Sequence, residues 1–344
     1  MKKPVSYRNL SILVTMLWLA WVPSLPAEST TVQNAEVIQD HITLHVALDG
    51  SCPYRSIQNA IDAVPWKETR WAVVLVHNGI YNEKIRIHKG RIILKGEDRS
   101  KTRIEFPQLR TDFEKKPDKF GPGVVNIYAD EVVLDNLTVA NTADVLGPHQ
   151  FAVYGNGDRI ILTNSDFLGL GGDTVSLWES LYGCYYHDNC FFKGAVDFVC
   201  PRGWCYISNS TFYEVMSTAA VWHDGRCWKD YKFVIINSTF DGVEGWKLGR
   251  HHQDAQFFLL GCTFSSTMAD VPIAPVDRQN ASIRWGQRVY FSGCHRTGGD
   301  FAWFKDNLPE AEGSPKPEQI TPAWTFGGRW DPLPVVREVR KIRF

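Results

Sequence analysis

Two aspartates carry the chemistry that this sequence can offer. Asp173 closes the glycine-rich approach of "LGLGGDTVSLW" and opens a β-type run, and Asp197 follows 24 residues later in "GAVDFVCPRGW". Two carboxylates held in different surroundings can divide a reaction, the ionised one attacking and the protonated one donating its proton. Arg250, in "WKLGRHH", follows a glycine at the mouth of another β-type run. An arginine beside an aspartate holds it ionised and oriented. Strand alternation places the rest. With Val196 and Phe198 inward, Asp197 points out, and with Phe151 and Val153 inward, Gln150 in "HQFAVY" points out. Asp173 shares the parity of Val175 and Leu177 and would be buried in a strict strand. Gly169, Gly171 and Gly172 supply the bend that would turn it outward.

Other chemistries find no support. The sequence has no G-x-S-x-G elbow, no P-loop, no complete dinucleotide fingerprint and no H-E-x-x-H. It has no C-x-x-C and no Cys/His spacing of a zinc site, and the pair His251–His252 would point to opposite faces of a strand. Neither a metal nor a cofactor is therefore expected.

The elements that must position these groups repeat. A short phrase recurs as "NLTV" at 136, "NSDF" at 164, "NCFF" at 189, and "NSTF" at 209 and 237, with worn copies "GCTF" at 261 and "GCH" at 293. A β-rich run precedes each copy, for example "RIILT", "WCYIS" and "KFVII". Repeats of about 20–30 residues without helical periodicity describe a solenoid of strands, here an all-β, right-handed, single-stranded parallel β-helix. The second position of the phrase places Cys190, Cys262 and Cys294 in one internal column, as buried free thiols. A Cys200–Cys205 disulfide remains open. The "NST" phrases at 209 and 237 also match glycosylation acceptors, but a repeated turn explains both. "PYRSIQNAIDAVP", 53–65, reads as a short helix capping the open end of the solenoid. From about 306 the chain becomes rich in Pro, Glu and Lys, a tail expected to pack along the outside.

Residues 1–27 read as a secretory signal peptide: Lys2, Lys3 and Arg8, then an apolar run of 13 residues, then Ala27 as a cleavage point. That run is too short to span a bilayer. The mature chain, 28–344, would be one domain, periplasmic or extracellular. Its formal charge is −4, the full-length −1 less three cations, which argues against a nucleic-acid partner. A capped solenoid needs no second copy, so a monomer is expected, free of the membrane.

Taken together, the motifs resemble the pectin methylesterase (pectinesterase) family over roughly residues 44–305. "LDGSCPYRSIQNAIDAVP" resembles the family's opening segment, "GIYNEK" its G-x-Y-x-E element and "HQFAVY" its Q-A-V-A-L. "GGDTV" is similar to Q-D-T-L, "VDFVCP" to D-F-I-F-G and "LGRHH" to L-G-R-P-W. The resemblance implies a parallel β-helix that removes methyl esters from galacturonate units of homogalacturonan. It implies Asp197 as nucleophile, Asp173 as general acid and then base, Arg250 holding Asp197, and Gln150 as an oxyanion donor, with no metal. The sequence also departs from the family. The glutamine before the first aspartate is Gly172, whose backbone N–H would have to replace the lost donor, and the proline and tryptophan after the arginine are His251 and His252. Gly172, His252, Trp178 and Trp246 are the expected substrate contacts, with Trp222 and Trp228 as further candidates for the sugar platform. A binding protein with a decayed site is the alternative. A pectate-lyase-like enzyme would need a calcium cluster of carboxylates, which the sequence near Asp173 and Asp197 lacks.

Overall fold

The computed structural model describes Ile38 and residues 40–344 apart from Ser180, Arg278 and Asn280. The expected signal peptide lies outside the described residues. Within them the strands wind into a parallel β-helix with three faces. One face has ten strands, from His41–Val46 to Val289–Ser292, and a second has nine, from Gly79–Tyr81 to His295–Arg296. The third face is in two pieces. Four strands end at Val175–Leu177, and three more begin at Ala219–Trp222.

The repeated phrase is the corner of each coil. Its first residue is left-handed in every copy: φ is 58° at Asn136, 49° at Asn164, 54° at Asn189, and 49° at both Asn209 and Asn237. The worn copies put glycine there, with φ 59° at Gly261 and 61° at Gly293. Asn and Gly are the residues that take this conformation at least cost, which is why the phrase begins with them. The second position forms the expected column. Ser165 Oγ accepts from Leu137 N–H (3.2 Å), Ser210 Oγ from Cys190 N–H (3.1 Å) and Ser238 Oγ from Ser210 N–H (3.2 Å). The fourth position points inward and stacks Phe167, Phe192, Phe212, Phe240 and Phe264, with neighbouring centroids 4.2–5.7 Å apart. All eight cysteines are free thiols, so Cys200 and Cys205 are not bridged.

The capping helix is Ile57–Ala63, within the expected span, and it buries Ile57, Ala60 and Ile61. Glu83, from "GIYNEK", closes its N-terminus by accepting from the Ile57 and Gln58 amides (2.8 and 3.2 Å) and the Ser56 hydroxyl (2.7 Å). A carboxylate there meets the free amides and the positive end of the helix dipole. After residue 306 the chain forms a second apolar layer. Leu308, Ile320, Phe326, Val336 and Val339 pack on Val73, Ile93, Val234 and Phe258 of the ten-stranded face. Arg340 and Asp188 pair at 3.0 Å across that seam. No helix among the described residues is long and apolar enough to cross a membrane.

Candidate active site

The site lies where the third face is interrupted. Across the gap isolated bridges continue the ladder, Val175 to Val199, Val199 to Val221 and Arg202 to Asp224. Asp173 and Asp197 each stand two residues before a bridged valine. The register therefore puts them at the same place on adjacent coils, about one strand spacing (~4.8 Å) apart along the backbone.

The backbone at this gap is unlike the strand that alternation predicts. The strand Phe191–Gly194 ends early, and residues 195–198 form a bend. Val196 has φ 36°, Asp197 φ 58° and Asp173 φ 59°. Val196 is half-exposed rather than inward, whereas Ala195 and Phe198 are fully buried. Positive φ at a β-branched residue is a strained conformation that its surroundings must enforce. Here Val196 N–H donates to Thr218 Oγ1 (3.1 Å), Asp197 N–H to Ala219 O (2.6 Å) and Asp173 N–H to Val196 O (3.2 Å). The glycines before Asp173 serve a different purpose from the expected bend, because none of the three has positive φ. A Cβ on Gly171 would lie 1.8 Å from Pro148 O, and one on Gly172 3.0 Å from Val196 O. They let neighbouring coils approach, while Asp173 itself takes the left-handed turn.

The two carboxylates are both buried but differently supported. Arg250, on the strand Lys247–His251, clamps Asp197 from one side. Its Nε donates to both carboxylate oxygens (2.9 and 3.1 Å) and its Nη2 to Oδ2 (2.9 Å). Burial pushes the Asp197 carboxyl up, and the hydrogen bonds and charge of Arg250 oppose that. Asp173 has no such clamp. Burial first, and then the charge of Asp197, push it up to about 7, with Arg110, Cys200 and Arg202 opposing less strongly. Its nearest cationic candidate is His149, whose Nε2 is 3.7 Å from Oδ1, and burial lowers the His149 pKa. Both carboxyls are thus raised, but a guanidinium opposes the rise at Asp197, whereas Asp173 is poised to carry a proton near neutrality.

The remaining expected residues divide. Gln150 is fully buried; its amide donates to Val145 O and its oxygen accepts from Leu170 N–H (3.3 Å). The Gly172 N–H is not free to replace a lost oxyanion donor, because it is shared between Gly147 O and Pro148 O (3.2 Å each). Trp246 is not a substrate contact: it is 0% exposed, stacked on Phe240, and its Nε1 donates to the Ser265 and Thr267 hydroxyls. Trp178 is half-buried beneath the Arg202 guanidinium, 3.9 Å from its ring centroid. His252 is exposed and accepts at Nδ1 from Trp222 Nε1 (2.9 Å), which fixes that pair beside the Arg250 strand. Trp228 is exposed as well.

Sequence reasoning missed Glu214 and Thr218. Glu214 is fully buried, and burial pushes its carboxyl up to about 8. Its Oε1 accepts from Met216 N–H (2.9 Å), and hydrogen bonding from the Met216 amide and Thr218 opposes the rise. It stands beneath the bend that Thr218 holds, near enough for Asp197 to raise its pKa. Its place at the end of a repeated strand, Thr211–Glu214, gave no signal beyond an acidic residue where neighbouring coils have Gly194 and Gly242.

The profile of the family described as pectinesterase matches residues 43–219, more than half of the chain. The chain belongs to the pectinesterase family. Members of this family are carboxylic ester hydrolases, and the match takes in both aspartates and stops short of Arg250, which the fold brings to them. Among curated pectinesterases, the chain is 31% identical to one from Petunia integrifolia over 261 residues, covering 62% of this chain and 68% of that one. It is 22% identical to probable pectinesterase 67 of Arabidopsis thaliana over 324 residues, covering 87% and 90%. The fold is that of the pectin methylesterase PemA from Erwinia chrysanthemi, with a TM-score of 0.68 at 19% identity over 84% of this chain and 98% of that one. The pectin methylesterase from carrot gives 0.64 at 18% identity, covering 85% and 95%.

Proposed function

We propose that this pectinesterase hydrolyses methyl esters of galacturonate units in pectin, with Asp197 as nucleophile and Asp173 as acid and base. The observation that carries the reading is the asymmetry of two buried carboxylates at one register, only one of which holds a guanidinium. Asp197 attacks the ester carbonyl carbon. As the tetrahedral adduct collapses, the proton on Asp173 passes to the departing methoxy oxygen, releasing methanol and leaving an acyl–Asp197 anhydride. Asp173, now a carboxylate, takes a proton from water, and the hydroxide attacks the acyl carbon. The C–O bond to Asp197 breaks, the galacturonate carboxyl leaves, and Asp173 is again protonated. Arg250 keeps Asp197 ionised before the attack and stabilises it as the leaving group. The amide of Gln150 carries a second hydrogen beyond the one given to Val145 O, and that hydrogen is the donor proposed for the oxyanion. His252 and Trp178 would flank the sugar. The enzyme would act outside the cytoplasm as a monomer.

Methanol release from highly methylated pectin, with and without chelator, tests this reading. Wild type should release methanol regardless of chelator, and Asp197→Asn should lose at least about 10⁴-fold in rate. The same constellation, with the Gly172 N–H tied to backbone carbonyls, also fits a protein that only binds acidic polysaccharide. Folded wild type that binds pectin without releasing methanol would establish that alternative.

A further inference from the structure

We propose a divalent transition-metal site formed by His45, Cys52 and His77, in the first coil and separate from the catalytic carboxylates. Sequence spacing hides it, since the three residues come from a strand, the loop after it and the end of the next strand. His45 lies on His41–Val46, and His77 follows Trp71–Val76, which pairs with it in parallel register. Both share the outward parity of Leu75, and their rings stack at 5.8 Å and 26°. The intervening loop returns Cys52 to the pair, so that the ligating atoms of all three residues lie within 4.8 Å of one another.

Three features make this more than an accidental meeting. First, the loop is built to hold its shape. Gly50 turns with φ 81°, and Asp49 Oδ1 accepts from Ser51 N–H (2.9 Å) and Ser51 Oγ (2.7 Å), which fixes the residues leading into Cys52. Second, Glu97 Oε2 lies 3.4 Å from His77 Nδ1 and is itself held by Asn78 N–H (2.9 Å). A carboxylate on the far nitrogen is the outer support that orients a metal-binding imidazole, and it leaves Nε2 for the metal. Third, six of the eight cysteines are buried, whereas Cys52 is partly exposed and reachable.

The donor set selects the ion. Two imidazoles and a thiolate are borderline-soft, which suits Zn²⁺ in tetrahedral geometry with water in the fourth position. Zinc bond lengths require donors about 3.4–3.6 Å apart, so binding would draw these partly exposed side chains closer together than the 4.8 Å within which they now lie. Bound metal would cross-link the first two strands of the ten-stranded face to the loop that leads into the capping helix. Its consequence is a firmer N-terminal end of the solenoid rather than a change in the reaction.

Spectroscopic titration of the full chain with Co²⁺, and calorimetric titration with Zn²⁺, test the site. One equivalent should bind, with a thiolate-to-cobalt charge-transfer band and tetrahedral d–d bands. Zn²⁺ should raise the unfolding midpoint by on the order of a few degrees. Cys52→Ser and His77→Ala should abolish the charge-transfer band or weaken binding at least about 100-fold, while methanol release, used as the check on folding, stays at the wild-type rate. Cys227→Ser, at the exposed cysteine, should change nothing. A band that survives Cys52→Ser, a band lost in Cys227→Ser, or no saturable binding by folded wild type would overturn the proposal.

Discussion

The corners of the coils and the gap in the third face solve the same geometrical problem with opposite choices. Both need the chain to turn through left-handed backbone. At the corners the sequence supplies Asn or Gly seven times, and the side chain of Asn earns a bond to a neighbouring coil, as where Asn189 Nδ2 donates to Asn164 Oδ1 at 2.9 Å. At the gap the turning residues are Asp173, Val196 and Asp197; aspartate tolerates this backbone, but β-branched Val196 does not. A corner of this kind stabilises the stack. At Val196 the gap instead stores strain, of order 1–3 kcal/mol, and offsets it with a hydrogen bond from its N–H to Thr218 Oγ1, while the neighbouring aspartate amides donate to adjacent coils. What the strain secures is position: both aspartates stand at one register on adjacent coils. The repeated corner follows backbone preference, whereas the gap sets a β-branched residue against it.

That contrast can be broken at several points. The largest effect is expected at the clamp. Arg250→Lys replaces a fork with a point charge and should lower kcat about 10²-fold, with the ascending limb of the pH–rate profile moved to higher pH as Asp197 loses support for its charge. A pH series of methanol release checks both. Next is the missing donor. Gly172 has no left-handed requirement, and a Cβ there meets Val196 O at 3.0 Å, a tight but adjustable contact. Gly172→Gln should place an amide beside the ester and raise kcat by about 10-fold, measured at saturating pectin. A drop in kcat would show that the close approach matters more than the donor.

Smaller effects separate strain from comfort. Val196→Gly should stabilise the fold by about 1 kcal/mol while lowering kcat several-fold, because Asp197 is then less firmly aimed. Asn209→Ala should destabilise by about 1–2 kcal/mol and leave kcat unchanged. Urea unfolding with parallel kinetics reads both, and equal effects of the two on kcat would end the comparison. The last effect is on pH. Asp173 moves from its ordinary 3.8 up to about 7, so between those values the folded chain holds more protons than the unfolded one. Stability therefore falls as pH rises from about 4 to 7. Glu214, at about 8, extends the decline slightly further. Melting curves across pH 4–8 should show this slope, and Asp173→Asn should flatten its lower part.

The sequence made the periodic half of the molecule readable. A phrase beginning with Asn, passing through a small residue and ending on Phe specifies a corner, a column and an inward ring, and the inward placement of Val175 and Leu177 follows from the same alternation. The aspartates and Arg250 were legible as a set, and the clamp between Arg250 and Asp197 exists. The irregular half was not. Alternation assumes a strand, so it placed Val196 inward; the bend at Asp173 was expected, but the aspartate takes the left-handed turn itself and the glycines serve close packing instead. Trp246 looked like a platform by residue type but carries the core stack. Glu214 and the His45–Cys52–His77 group were invisible because their meaning comes from neighbouring coils, and sequence distance says nothing about which coils are neighbours.

The outer layer formed after residue 306 has a consequence for how this protein is made. Its apolar partners Val73, Ile93, Val234 and Phe258 are synthesised well before Val336 and Val339 exist to cover them. A growing chain can therefore wind its coils while one whole flank stays greasy, and that flank is sealed only when the final helix, Leu333–Lys341, arrives. Arrival of that helix, rather than completion of the solenoid, ends the period in which the flank is prone to clump.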